Sequence, residues 1–344
     1  MKALFIGLGS IGQRHLRNLR KLAGDSVEVI AYRAKRQVPV LNDKFQVDEN
    51  ANLAETYNVR EFDDLDEALN ERPEIVFITN PTSHHVDVAL KAAKVGCHLF
   101  IEKPIDSCID RVDELVELVS SKGLITTVAY QLRFHPGLNQ VYRWLQEKRI
   151  GNLLSVSIRQ GEYLPGFHPY EDYRISYASR KELGGGVILT QIHEFDYALW
   201  FFGLPRRIVA IGGKYSYLEV DVEDTATILM ECKCDDRMLP VTLTLDYLQK
   251  PPDRNCIIVG DQGKIVWDFH SGHTTLIPMG GEEKKVFDFS QFDRPSMFVD
   301  ELKQFLNAVS GKGSTIVDLQ CGIDSLRMAL AARESLETGE IVSL

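Results

Sequence analysis

The chain contains no CxxC pair, no HExxH segment and no ladder of cysteines and histidines. Its six cysteines, at 97, 108, 232, 234, 256 and 321, are scattered. That pattern argues against a zinc site and against a disulfide framework, and the expected metal content is none. Cys232 and Cys234 fall on one face of an alternating segment, where a reduced pair is expected in a cytoplasmic protein. No apolar run approaches the roughly 20 residues that cross a bilayer. Met1–Gly7 enters a strand directly, without a signal-peptide core or cleavage site, so the expected location is the cytoplasm. Basic residues are in the minority: 39 Lys and Arg stand against 49 Asp and Glu, a formal charge of −10. Such a surface repels phosphate backbones and anionic lipid, which excludes nucleic acid and membrane as expected partners. Repeats and low-complexity tracts are also missing. What remains is an ordinary globular composition, 44% hydrophobic and 26% charged over 344 residues, long enough for roughly two domains.

Ala3–Ile6 is a short apolar strand, followed at once by Gly7-Leu8-Gly9-Ser10-Ile11-Gly12 and then by a helical pattern. Strand, glycine turn and helix in that order convert a weak motif into a dinucleotide-binding expectation. Gly7 permits the turn, Gly9 admits a pyrophosphate, and Gly12 lets the helix pack close. The helix N-terminus at Ser10 and Ile11 offers amides and a positive dipole end to phosphate. An acid that would hold a ribose 2′-hydroxyl is missing about 20 residues on. Tyr32-Arg33-Ala34-Lys35-Arg36 occupies that slot, and its cations suit a 2′-phosphate, so NADP is expected over NAD. Strand and helix patterns alternate to residue 129. That implies parallel strands, right-handed crossovers and a doubly wound nucleotide-binding sheet.

Leu99-Phe100-Ile101 reads as a buried strand that must stop at Pro104, which lacks the N–H donor. Glu102 and Lys103 then sit at the carboxyl edge of the sheet, where open α/β folds hold their ligands. Two solvated charges at a strand end would be the plain interpretation of Glu-Lys-Pro in isolation.

The second half opens with Tyr130–Pro136 and a helix over 138–148. A half-buried strand follows over 153–160, then a loop from Glu162 to Tyr177 that mixes five aromatic rings with charged groups. Rings cover the C–H faces of a pyranose while polar tips bind its hydroxyls. The candidates there are Tyr163, His168, Tyr173 and Arg174, although a packed surface loop explains any one of them nearly as well. After Gly184-Gly185-Gly186, apolar residues at 188, 192, 195, 199 and 202 predict one continuous helix. His193 and Asp196 share a face of it, so the carboxylate is expected to orient the histidine for acid–base work. Segments 207–212, 225–233, 238–248, 256–259 and 264–269 alternate like an antiparallel sheet, with Asp261-Gln262-Gly263 as a hairpin turn. Helices over 297–310 and 324–338 close the chain.

Gly7–Gly12, Thr79-Asn80-Pro81-Thr82-Ser83-His84-His85, Glu102-Lys103-Pro104, Tyr130-Gln131-Leu132-Arg133-Phe134-His135-Pro136, the glycine run, His193–Asp196 and Val222-Glu223-Asp224-Thr225-Ala226 together resemble the glucose–fructose oxidoreductase/inositol dehydrogenase (Gfo/Idh/MocA) family, in order and spacing over almost the whole chain. The resemblance implies an α/β protein with an N-terminal Rossmann domain, 1–130. It also implies a C-terminal α/β domain, 131–344, with a large, mostly antiparallel open sheet whose outer face mediates homodimers or homotetramers. It implies cofactor contacts from Thr79, Asn80, Pro81, His84, Glu102 and Lys103, and a substrate-facing Arg133. Lys103 and His193 would be the catalytic pair. The family usually has an aspartate one turn before the histidine. Here that position is Leu189 or Thr190, and Thr190 can bind a substrate hydroxyl but cannot act as a base. The expected activity is hydride transfer between NAD(P) and a secondary alcohol or ketone of a sugar, sugar derivative or cyclitol. The alternative is a non-catalytic NADP- or sugar-sensing protein on the same fold; a tightly bound cofactor recycled within one turnover is a further enzyme variant.

Overall fold

The computed structural model describes residues 1–33, 39–42 and 46–344. It consists of two compact units, Met1–Tyr130 with Pro295–Ile323, and Gln131–Arg294 with Asp324–Leu344.

In the first unit, β1 (Lys2–Ile6), α1 (Ser10–Ala23) and β2 (Glu28–Tyr32) are followed by a small pair of strands, β3 (Val40–Leu41) and β4 (Val47–Asp48). Then come α2 (Leu53–Tyr57), β5 (Val59–Phe62), α3 (Leu65–Asn70), β6 (Ile75–Ile78), α4 (His85–Lys94), β7 (His98–Ile101), α5 (Val112–Lys122) and β8 (Thr126–Val128). Six strands form one sheet in the order β5-β2-β1-β6-β7-β8, and every pairing is parallel. The order reverses between β1 and β6, the point at which such sheets open a crevice for a ligand. β6 is buried along its whole length, and β7 at Leu99, Phe100 and Ile101. These are the continuous apolar runs expected of strands covered on both faces.

The compact units follow the expected division at residue 130 but not as single stretches of chain. Pro295–Ile323 returns to the first unit. Its helix, Ser296–Val309, buries Met297, Phe298, Leu302 and Phe305. The Phe305 ring meets Phe100 at 5.5 Å and Phe77 at 6.5 Å, edge to face, and Leu302 and Phe305 belong to the same core as Phe5, Leu16 and Leu19. That apolar stripe is completed by the parallel sheet.

The second unit begins with α6 (Pro136–Gln146), capped by His135, whose Nδ1 accepts from the amides of Gly137 and Leu138. Its strands are β9 (Leu153–Gly161), β10 (Pro205–Gly213), β11 (Thr225–Cys234), β12 (Arg237–Asp246), β13 (Asp253–Gly260), β14 (Gly263–Asp268), β15 (His273–Pro278), β16 (Lys285–Asp288) and β17 (Val342–Ser343). They form one sheet in the order β16-β15-β14-β13-β9-β12-β11-β10-β17. Only the β12–β9 pairing is parallel. Side chains alternate strictly: on β11, Ala226, Ile228, Met230 and Cys232 are buried while Thr227, Leu229 and Lys233 face out. Short edge strands β15 to β17 were not legible from periodicity.

The single helix expected over 188–202 is instead two, α7 (Val187–Thr190) and α8 (His193–Phe202). At the break, the Gln191 side-chain amide donates to the Asp246 carbonyl at 3.0 Å, at the end of β12. A tertiary hydrogen bond thus overrides the local helical period.

Candidate active site

In the first unit the turn after β1 is built by close packing. Gly7 lies at φ +86°, and a Cβ on Gly12 would sit 2.6 Å from the Gly7 carbonyl oxygen and 2.8 Å from Thr79 Oγ1. Gly9 differs: a Cβ there would meet nothing within 4 Å. Gly9 is also the N-cap of α1, whose first turn has neither a side-chain cap nor an acid. The amides of Ser10, Ile11 and Gly12 therefore begin a 14-residue helix at an open surface with its positive dipole end intact. Asn80 Oδ1 and Ser83 Oγ are buried without a hydrogen-bond partner among the described residues. A dinucleotide fits this combination, because it supplies the anion that the helix end attracts and polar groups for the orphaned atoms.

Other expected cofactor residues take different positions. Thr79 is buried, and its hydroxyl lies 2.7 Å from the Gly7 carbonyl and 3.1 Å from that of Ile6, so it holds the turn. Pro81 and His84 are exposed. The next residue, His85, is 1% exposed, with Nδ1 2.8 Å from the Pro104 carbonyl and Nε2 2.9 Å from the Asn80 carbonyl. Arg33 is buried and ion-paired with Glu61 on the neighbouring β5, so its charge is already compensated. Ala34, Lys35 and Arg36, the rest of the basic slot, lie outside the described residues. Glu102 is buried, with Oε1 2.6 Å from His15 Nε2, which makes it a structural partner of α1. Lys103 follows it at the carboxyl end of β7, half-buried, and the Lys103–Pro104 peptide is cis.

In the second unit, His193 is the first residue of α8 and is buried. The Gln131 side-chain nitrogen donates to His193 Nε2 at 3.2 Å. Asp196, expected to orient this histidine, instead accepts from Arg133, Nε to Oδ2 at 2.8 Å and Nη2 to Oδ1 at 2.9 Å. Burial raises the Asp196 carboxyl and the arginine opposes that shift. Arg133, expected to face substrate, has Nε and Nη2 engaged by Asp196, and its guanidinium lies 4.9 Å from the Trp200 ring centre. Glu194 receives a second fork, from Arg254 on β13, at 2.7 and 3.0 Å. Two buried arginine–carboxylate pairs thus pin the turn of helix that presents His193. Thr190 is buried close to the Tyr247 hydroxyl, which donates to the Ala178 carbonyl at 3.2 Å. Sequence reasoning missed Gln131, Glu194 and Arg254, although Glu194 and Arg254 are charged residues inside apolar patterns, a signal of buried pairing.

The aromatic loop is tied largely to itself. His168 Nδ1 lies 2.8 Å from Glu171. Arg174 is held by Asp172 at 2.8 Å and Glu219 at 3.1 Å, and the Tyr173 hydroxyl accepts from the Glu219 amide. Tyr163 is exposed. Phe167, not singled out beforehand, packs edge-on against Tyr247 at 5.8 Å and so links this loop to the neighbour of Thr190.

The chain matches two family models: an oxidoreductase family, NAD-binding Rossmann fold, over residues 1–130, and the C-terminal alpha/beta domain of that family over 142–344. It is 24% identical to the scyllo-inositol 2-dehydrogenase (NAD(+)) of Bacillus subtilis, covering 100% of this chain and 96% of the relative. Among solved structures it resembles the WlbA dehydrogenase from Bordetella pertussis in complex with NADH and UDP-GlcNAcA, with a TM-score of 0.80 at 17% identity and coverage of 100% and 98%. It also resembles the myo-inositol 2-dehydrogenase from Lactobacillus plantarum, with a TM-score of 0.78 at 20% identity and coverage of 100% and 99%. A glycine cradle open at Gly9, a lysine at the carboxyl end of β7, a histidine on a pinned helix and matches over nearly the full length place this chain in the Gfo/Idh/MocA oxidoreductase family.

Proposed function

We propose that the protein is an NAD(P)-dependent dehydrogenase or reductase that interconverts a secondary alcohol and a ketone on a sugar, sugar derivative or cyclitol. The observation that carries this is Lys103 at the carboxyl end of β7, in the same parallel sheet whose β1 ends in the open glycine cradle. The bound nicotinamide supplies the acceptor or donor of hydride. Lys103 donates a hydrogen bond to the reacting oxygen and stabilises the negative charge that develops there. His193 takes up the hydroxyl proton at Nε2 when the substrate hydroxyl displaces the Gln131 amide, which occupies that nitrogen's single lone pair in the structure. Thr190 orients a substrate hydroxyl. Inositol 2-dehydrogenases among the relatives and the UDP-GlcNAcA complex among the structural neighbours support polyols and nucleotide sugars as the substrate classes.

We further infer a preference for NADP, resting on Lys35 and Arg36, since Arg33 is neutralised by Glu61. Copies of the chain associate as a homodimer or homotetramer through the sheet face that exposes Leu229, Ile257 and Val286.

The test is turnover with each cofactor on myo-inositol, scyllo-inositol, D-xylose and UDP-linked amino sugars, followed by the reduced-nicotinamide absorbance. Lys103→Met is expected to lower kcat by about a thousandfold while cofactor affinity stays within about twofold. Near-normal turnover by Lys103→Met would overturn the mechanism, and a higher kcat/KM with NAD would overturn the cofactor preference. Absence of turnover on every member of the panel would favour the sensing alternative.

A further inference from the structure

We propose that two buried histidines, His15 and His85, are positioning residues that fix Lys103 through the residues on either side of it, an inference that rests on the assignment of Lys103 as the oxygen-facing group. His15 lies on α1, beyond the glycine turn, and is 0% exposed. Its Nε2 lies 2.6 Å from Glu102 Oε1. The other oxygen of the same carboxylate accepts the Lys103 backbone N–H at 3.2 Å. The Glu102 amide in turn donates to the Ile78 carbonyl at 2.9 Å, continuing the β6–β7 ladder. The residue before Lys103 is thus held at its amide and at both carboxylate oxygens.

On the other side, His85 opens α4 and spans two carbonyls, Pro104 at 2.8 Å and Asn80 at 2.9 Å. Neither carbonyl can donate, so each contact requires an N–H on the ring. A doubly protonated ring supplies both and a neutral ring supplies one. Through these imidazoles α1 and the turns after β6 and β7 are joined, and Lys103 lies between the two residues that they hold, Glu102 and Pro104. The His15 ring is packed edge-on by Phe100 at 4.7 Å and by Phe298 at 6.2 Å, inside a close-packed core that resists its displacement. Holding a reacting group to within a fraction of an ångström is what such a support accomplishes, since small misplacements cost large factors in rate.

A merely space-filling role would be served equally by leucine, which approximates the imidazole in volume and offers no N–H. The experiment compares the wild-type protein with His15→Leu, His15→Gln, His85→Leu and His85→Gln. The probe is acetic anhydride at trace concentration. Peptide mass spectrometry reads the labelling rate of Lys103 relative to that of Lys233, an exposed lysine on β11. Cofactor binding and melting temperature are recorded alongside. Each leucine variant is expected to change the Lys103-to-Lys233 ratio by more than about twofold, and each glutamine variant, which retains an N–H donor, to restore it at least in part. A ratio within about twofold of wild type in the folded leucine variants would overturn the proposal. If His15→Leu does not fold, because it strands the Glu102 charge, the double variant His15→Leu/Glu102→Gln removes that charge and is judged by the same ratio. The labelling ratio does not depend on turnover. An active Lys103→Met would therefore refute the catalytic assignment, and an unchanged ratio would refute the positioning assignment, each independently.

Discussion

Arg133 and Asp196 meet in a solvent-excluded fork, Nε on Oδ2 at 2.8 Å and Nη2 on Oδ1 at 2.9 Å, and this fork fastens α8 to the segment that follows the first unit. Removing one member leaves the other as an uncompensated buried charge. Asp196→Ala is therefore expected to lower unfolding free energy by about 3–5 kcal/mol in urea titration. Arg133→Met combined with Asp196→Leu should cost clearly less than the sum of the single changes. Additive single and double costs would show that the fork is not a coupled unit.

The last two glycines of the dinucleotide turn, Gly9 and Gly12, separate folding from binding. Gly9→Ala meets no atom within 4 Å. It is expected to leave the melting temperature nearly unchanged and to weaken cofactor binding by more than about tenfold, because the methyl occupies the space of the phosphates. Gly12→Ala places its Cβ 2.6 Å from a carbonyl oxygen and is expected to cost about 1–3 kcal/mol of stability as well. Calorimetric melting and cofactor titration on both variants check the contrast.

His135 should make the second unit sensitive to acid. Burial, together with the charges of Arg254 and Arg294, pushes its imidazole down to about 3. Rings of Trp267, Phe269, Phe289 and Phe292 surround it, and its Nδ1 caps α6 by accepting hydrogen bonds. The folded state therefore binds a proton later than the unfolded chain. The stability from the neutral ring is complete above the ordinary histidine value and is lost as pH falls toward 3, at no more than about 1.4 kcal/mol per pH unit. His135→Asn keeps a capping acceptor but does not titrate. Its stability against pH, followed by urea unfolding, is expected to fall less steeply over that interval.

The open face of the nine-stranded sheet supports a prediction on assembly. Leu229 is 46% exposed and Ile257 37%, in one cross-strand row through Thr242 and Ser157. Leu229→Glu with Ile257→Glu is expected to lower the mass measured by light scattering to that of a single chain. An unchanged mass would place the association elsewhere.

Local chemistry was legible wherever the deciding interaction is short in sequence. The glycine turn announces itself because the phosphate-binding geometry is made within six residues. The sheet of the second unit announces itself because one face of each strand is buried, which writes a period of two. The features that escaped are those decided by distant partners. Asp196 sits three residues from His193 and looks like its companion, yet Arg133, 63 positions away, claims it. Glu102 reads as a supporting residue beside Lys103, but the partner it supports against, His15, is 87 residues earlier on α1 and leaves no mark near it in sequence. His15 and His85 carried a weaker signal, since each lies four residues before a buried apolar residue on its helix, Leu19 and Ala89. That spacing shows that a histidine faces inward without showing what it meets there.

The return of Pro295–Ile323 to the first unit has a consequence for synthesis on the ribosome. Phe305 and Leu302, which complete the core over Phe77 and Phe100, emerge only after eight of the nine strands of the second sheet, β9 to β16, have been translated. At 5–20 residues per second that is a delay of roughly ten to thirty seconds. Through that interval the nascent nucleotide-binding sheet has an aromatic patch still waiting for its cover, and Leu16 and Leu19 of α1, the helix that starts at the glycine turn, wait with it for Leu302 and Phe305.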